Sequence, residues 1–153
     1  MNHVLTPAQA AAWSSYQRMR VRLAERLNRE LSRETGLSEA DFEILVALID
    51  APDDTVRALA LRCGLEWEKS RLSHQLRRME KRGLVRREVC AEDNRSTVIR
   101  VTDAGRRLAE EAKRQHEQAV LAVVCDALTP EQVQALGCIA DAVLSRLDEP
   151  PRS

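Results

Sequence analysis

Aromatic side chains are scarce in this sequence: two tryptophans, one tyrosine and one phenylalanine make up 3% of 153 residues. Proteins that hold single-stranded nucleic acid stack its bases on aromatic rings, so that partner is disfavoured. Cysteine occurs only at Cys63, Cys90, Cys125 and Cys138, widely separated and without a Cys-x-x-Cys pair. His3, His74 and His116 add no ligand spacing, so neither a structural zinc site nor another metal or cofactor is expected. Free thiols, buried or half-buried, are the expected state, and a cysteine-based redox switch is the minority alternative. No glycine-rich phosphate loop, nucleophile–base pair or carboxylate pair stands out, so no catalytic residue is assigned. No apolar run approaches the roughly 20 residues needed to span a bilayer, and the first residues show no basic-then-apolar leader. A cytoplasmic protein without membrane contact is the expectation.

Net charge is also missing, with 24 basic and 24 acidic residues, but the balance is only global. Residues 69–107 hold twelve basic and five acidic residues, a surplus of seven positive charges that the rest of the chain offsets. Phosphate binding depends on counterion release at the contact surface, so the local surplus is what matters. A solvated helix face is the plainer alternative for any such run. The hydrophobic content of 44% and charged content of 31% describe a globular chain of a size that suits one domain.

The punctuation predicts six helices and one hairpin. Leu5-Thr6-Pro7-Ala8-Gln9 and Leu128-Thr129-Pro130-Glu131-Gln132 each place threonine at the N-cap, proline at N1 and glutamine at N3. The first helix is expected over residues 7–34, stopping at Gly36, with Trp13, Tyr16, Leu23, Leu27 and Leu31 as its apolar stripe. A second begins at the Ser38-Glu39-Ala40-Asp41 cap and carries Phe42, Leu45, Val46 and Ile49 toward Pro52. A short third follows Asp53-Asp54-Thr55 and ends at Gly64, and a fourth covers residues 66–82 before Gly83. Residues 85–90 and 97–101 read as strands around a turn at Asp93-Asn94. Thr102 caps a fifth helix to about residue 127, and the sixth runs from Pro130 to about Leu147, with Val133, Leu136, Ile139, Val143 and Leu147 on one stripe. This order is mainly α: a winged helix-turn-helix with a β-hairpin wing and extra terminal helices.

On a helical wheel Leu72, Leu76 and Met79 fall within one arc of the fourth helix and must face the core. Ser70, His74, Arg77, Arg78 and Lys81 fall opposite, with Arg71 and Gln75 on the flanks. Ser70, Arg71, His74 and Gln75 occupy the N-terminal half, the part of such a helix that enters a major groove. Arginine can chelate guanine and glutamine can pair with adenine, each worth about 1–3 kcal/mol of discrimination. Lys69 belongs to the same DNA-binding set, and Arg77, Arg78, Lys81 and Arg82 suit phosphate contacts that position without specifying. Arg95 at the hairpin tip suits an A·T-rich minor groove, with Asp93 beside it to orient the guanidinium. The alternative there is a solvated turn.

Trp67-Glu68-Lys69-Ser70, Leu72-Ser73-His74-Gln75-Leu76, Met79 through Val85, Asp93-Asn94-Arg95 and Val101 through Gly105 together resemble the multiple antibiotic resistance regulator (MarR) family of bacterial transcription factors. With the flanking helices, the likeness covers nearly the whole chain. It implies a homodimer on a palindromic double-stranded DNA operator, commonly a repressor released by a small molecule. The winged-helix lobe would then be residues 37–105, with residues 1–36 and 106–153 supplying dimerisation helices of one MarR-like domain. Ser70, Arg71, His74, Gln75 and Arg78 match the recognition-helix positions, and Arg95 the wing arginine. Members that sense peroxide carry a reactive cysteine in the first helix, and this chain has none there.

The terminal helices hold more apolar length than a small core needs, and Val4, Leu5, Val120, Val123, Val124, Leu136, Ile139 and Val143 are interface candidates. Arg20 stands in the first helix's apolar stripe, after Trp13 and Tyr16. Rings beside a buried cation suit a small aromatic or anionic effector, with Phe42 and His116 as further candidates. An ordinary ion pair of Arg20, with Asp41 or with the partner subunit, is the alternative. A winged helix used only for protein–protein assembly also remains open.

Overall fold

The fold comes from a computed structural model that describes residues 4–90, 92 and 95–149. Helix α1 (Pro7–Thr35) opens on the Thr6 capping box: Thr6 accepts from the Gln9 amide, and the Gln9 side chain accepts from the Thr6 N–H. It ends where Gly36 turns left-handed at φ 71°, the conformation that glycine adopts at no steric cost. Helix α2 (Glu39–Ile49) repeats the device with Ser38 and Asp41. Its buried face is Asp41, Ile44, Leu45 and Leu48, while Phe42, Val46 and Ile49 are only half-buried.

The next segment departs from expectation. A 3-10 turn at Pro52–Asp54, with Asp53 and Asp54 both at φ 58°, leads into a strand β1 (Thr55–Arg57) that local pattern did not announce. Helix α3 (Ala58–Leu65) runs past Gly64, and the left-handed residue that stops it is Glu66. Helix α4 (Lys69–Lys81) starts three residues later than expected, because Trp67 drops into the core, 8% exposed. Strands β2 (Val85–Val89) and β3 (Thr97–Val101) form the hairpin as expected. β3 lies between β1 and β2, antiparallel to both, with Val56 opposite Ile99 and Arg87 opposite Ile99 on the other side. The turn pair Asp93-Asn94 lies outside the described residues.

Helix α5 (Asp103–Val123) begins at Thr102, whose hydroxyl accepts from the Gly105 N–H at 3.0 Å and donates to the Gly83 carbonyl at 2.6 Å. Arg106 on α5 grips Asp54, and Lys113 reaches Asp50 at 2.9 Å, fastening this helix to the α2–β1 turn. The chain divides into two compact units, Met1–His116 and Glu117–Ser153, the boundary falling inside α5. In the first, one core joins Leu31, Ile44, Leu45, Leu48, Leu61, Trp67, Leu72, Leu76, Met79, Val85, Ile99 and Ala109. The second contains the end of α5 and helix α6 (Pro130–Leu147), which is capped by the Thr129–Gln132 box. No side chain of α6 is buried. No single described helix is long and apolar enough to cross a membrane.

Candidate nucleic-acid interface

Helix α4 is held from one side only. Leu72, Leu76 and Met79 are at most 4% exposed, and they seat the helix on α2 and the sheet. The opposite side carries Lys69, Ser70, His74, Arg77, Arg78 and Lys81, all exposed. No side chain of these six makes a hydrogen bond or ion pair with another described residue, so their polar ends face solvent. Arg71 is also exposed, but its guanidinium carbon sits over the Trp67 ring, 3.9 Å from the centroid. This cation–π contact restrains a side chain that is otherwise free in solvent. On the α2 flank, burial and the nearby Glu39 push the Glu43 carboxyl up against the opposing pull of Arg71.

Two expectations are corrected here. Gln75 is turned inward rather than toward a groove, its Nε2 donating to Asp41 Oδ1 at 2.6 Å. Arg82 is likewise drawn in: Nη1 donates to Asp41 Oδ2 at 2.7 Å and Nη2 to the Gly36 carbonyl at 3.3 Å. The wheel placed Gln75 correctly on a flank but could not show that a carboxylate of α2 occupies that flank.

The wing stands beside this helix. Glu80 of α4 accepts from the Arg87 side chain at 2.8 and 3.0 Å and from its backbone N–H at 3.2 Å, tying β2 to α4. That side-chain hydrogen bond, outweighing a slight desolvation, holds the Glu80 carboxyl below its ordinary range. Between α3, α4 and the hairpin opens a cleft of about 450 Å³, with Lys69, Ser73 and Arg95 on its walls. Arg57, Arg62 and Arg87 line it too. Arg57 and Arg62 were not singled out from sequence, because the cationic run begins at Lys69 and only folding brings β1 and α3 alongside it; Arg87 lies within that run. Arg95, the wing arginine, is exposed at the hairpin. Asp93 lies outside the described residues.

The five effector candidates fall into two groups. Trp13 and Tyr16 are exposed on α1 with ring centroids 5.4 Å apart. Arg20 is not a buried cation: it is exposed and donates to Gln17 at 3.0 Å, while Asp41, its suggested partner, is taken by Arg82. Phe42 and His116 are half-buried, with centroids 5.1 Å apart. No ring contact or hydrogen bond among the described residues joins the two groups. The four cysteines are free, Cys63 and Cys138 exposed and the others half-buried. The described residues contain no cluster suited to a metal ion.

Helices α2, α3 and α4, with a three-stranded sheet whose β2–β3 hairpin stands beside the open cationic side of α4, define a winged helix-turn-helix protein. The sequence model of the MarR family matches residues 35–96. AbsC, a MarR family transcriptional regulator from Streptomyces coelicolor, is 31% identical; the alignment covers 95% of this chain and 98% of that one, with a TM-score of 0.89. Sco3205, a MarR family transcriptional regulator from the same organism solved in complex with DNA, is 34% identical over 97% of this chain and 93% of that one, with a TM-score of 0.90. The chain belongs to the MarR family. The HTH-type transcriptional regulator YdgJ of Bacillus subtilis (strain 168) is 32% identical over 84 residues, covering 55% of this chain but only half of that protein.

Proposed function

We propose that this protein is a sequence-specific, double-stranded DNA-binding transcriptional regulator without catalytic activity. The observation that carries this reading is the open side of α4: six polar or cationic side chains with no internal partner among the described residues, opposite a fully buried apolar face. The DNA complex of the 34% identical Sco3205 supports it. In this reading Ser70, Arg71 and His74 address base edges, and Lys69, Arg77 and Arg78 address phosphates. Arg95 enters the adjacent minor groove, where Asp93 would orient it. The protein acts in the cytoplasm as a homodimer on a palindromic operator, repressing until a small aromatic or anionic effector releases it. Twofold symmetry would set the two recognition helices about 34 Å apart. Selection of bound duplexes from a random pool, followed by fluorescence anisotropy across a salt series, tests the reading. An enriched inverted repeat and a steep loss of affinity with salt are expected; a flat, unselective response would sink it.

A further inference from the structure

Asp41 is the buried charged side chain among the described residues, 2% exposed, and its carboxylate accepts from three partners. Oδ1 accepts from Gln75 Nε2 at 2.6 Å. Oδ2 accepts from Arg82 Nη1 at 2.7 Å and from the Ser38 N–H at 3.0 Å. Gln75 and Arg82 stand seven residues apart, two turns along the same flank of α4, so one carboxylate grips the helix near its middle and at its C-terminal end. Through Arg82 the grip continues to the Gly36 carbonyl, where α1 gives way to α2. The other restraints on α4 are the packing of Leu72, Leu76 and Met79 and, at its last turn, the Glu80–Arg87 bonds that tie it to β2. Hydrogen bonds of fixed direction add to that packing a resistance to rotation of the helix about its own axis, and on the flank facing α2 Asp41 accepts them.

We propose that Asp41 is a positioning residue for base reading, setting the rotation of α4 relative to the end of α1 so that Ser70, Arg71 and His74 meet base edges in register. This inference rests on the DNA-binding function proposed above. Its physical content is a difference in tolerance. A side-chain tip roughly 6 Å from the axis of a helix moves about 1 Å for a ~10° rotation. A bidentate contact to a base edge does not survive that displacement, because its donor–acceptor window spans only about 0.5 Å. A long, exposed arginine aimed at a phosphate follows the displacement without loss. Loss of Asp41 should therefore reduce selectivity and leave non-specific affinity in place.

The test compares the selected operator duplex with a scrambled duplex of equal length, using the full-length protein as wild type, Asp41→Asn, Gln75→Leu and the double variant. Folding is checked by circular dichroism, and Kd is measured by anisotropy at several salt concentrations. For Asp41→Asn the operator Kd should weaken about tenfold, while the scrambled-duplex Kd and its salt slope stay within about twofold. Gln75→Leu should weaken operator binding in the same direction, and the double variant should be no worse than the weaker single one, because the Gln75 bond is part of the Asp41 grip. A folded Asp41→Asn protein with an unchanged operator-to-scrambled ratio overturns the inference. So does a Gln75→Leu protein that loses preference at a single base pair while Asp41→Asn does not, since Gln75 would then read that base itself. If Asp41→Asn does not fold, Gln75→Leu, which keeps the Asp41–Arg82 pair, decides alone. A wild-type protein that binds no duplex removes the DNA-binding reading first, and this inference with it.

Discussion

Gly105 stands where no side chain fits. A Cβ there would lie 2.1 Å from the Leu84 carbonyl oxygen and 2.9 Å from Val101 Cγ2. The clash is with backbone, so no rotamer change relieves it, and the first turn of α5 would have to move away from Leu84. Gly105→Ala should cost about 2 kcal/mol and lower the Tm by several degrees, read by thermal denaturation. An unchanged Tm would mean that this junction is loosely packed. Asp41 carries a pH signature as well. Burial pushes its carboxyl up, but hydrogen bonds from Arg82 and Ser38 and the guanidinium charge outweigh it, so the folded pKa lies below the ordinary value. A depressed carboxyl stabilises the fold above its unfolded pKa, about 3.9, and that contribution is lost as pH falls through the folded value. Urea unfolding should show wild type ahead of Asp41→Asn by about 1–3 kcal/mol near neutrality, with the gap closing below about pH 4. A gap that persists unchanged at pH 3 would show that charge is not its source.

At the scale of elements, legibility followed the locality of the cause. Threonine, proline and glutamine within five residues announce the starts of α1 and α6, and Ser38 announces that of α2, because a capping box is complete within one turn. β1 escaped notice because three residues make too short a pattern, and its pairing partner β3 lies more than forty residues away. Trp67 looked like a first-turn residue of the fourth helix, yet burial of its ring delays α4 to Lys69. The cationic side of the candidate site was legible from helical spacing alone, whereas the capture of Gln75 and Arg82 was not, since it requires knowing which helix packs alongside. Arg20 followed the same rule: its position in the stripe was visible, its exposure was not. A prediction belongs to α4 as a unit. Arg77→Ala and Arg78→Ala should each reduce the slope of log K against log salt by roughly one for every phosphate left without its cation, weakening operator and scrambled duplexes alike. A loss confined to the operator would reassign either residue to base reading.

For the whole molecule, the apolar surface is the feature that asks for a partner. Val133 through Leu147 leave their stripe on α6 exposed, Ile139 at 63% and Leu147 at 72%, and Val4 and Leu5 are open at the other terminus. Under the dimer proposal this surface is covered by a second copy. Ile139→Asp should then shift the mass in sedimentation equilibrium toward the monomer at micromolar protein. Operator binding should weaken by more than tenfold, because a monomer addresses a single half-site. A dimer that survives the aspartate would place the interface elsewhere.

The bareness of α6 also bears on how the protein is made. An 18-residue helix that buries none of its own side chains gains little order from the chain it belongs to. If a second copy completes it, dilution alone would loosen this segment, and the midpoint of thermal unfolding would climb with protein concentration. In a cell, the number of molecules present would then govern both how many survive proteolysis and how many can act, so that a scarce regulator would be cleared before it could compete for its site.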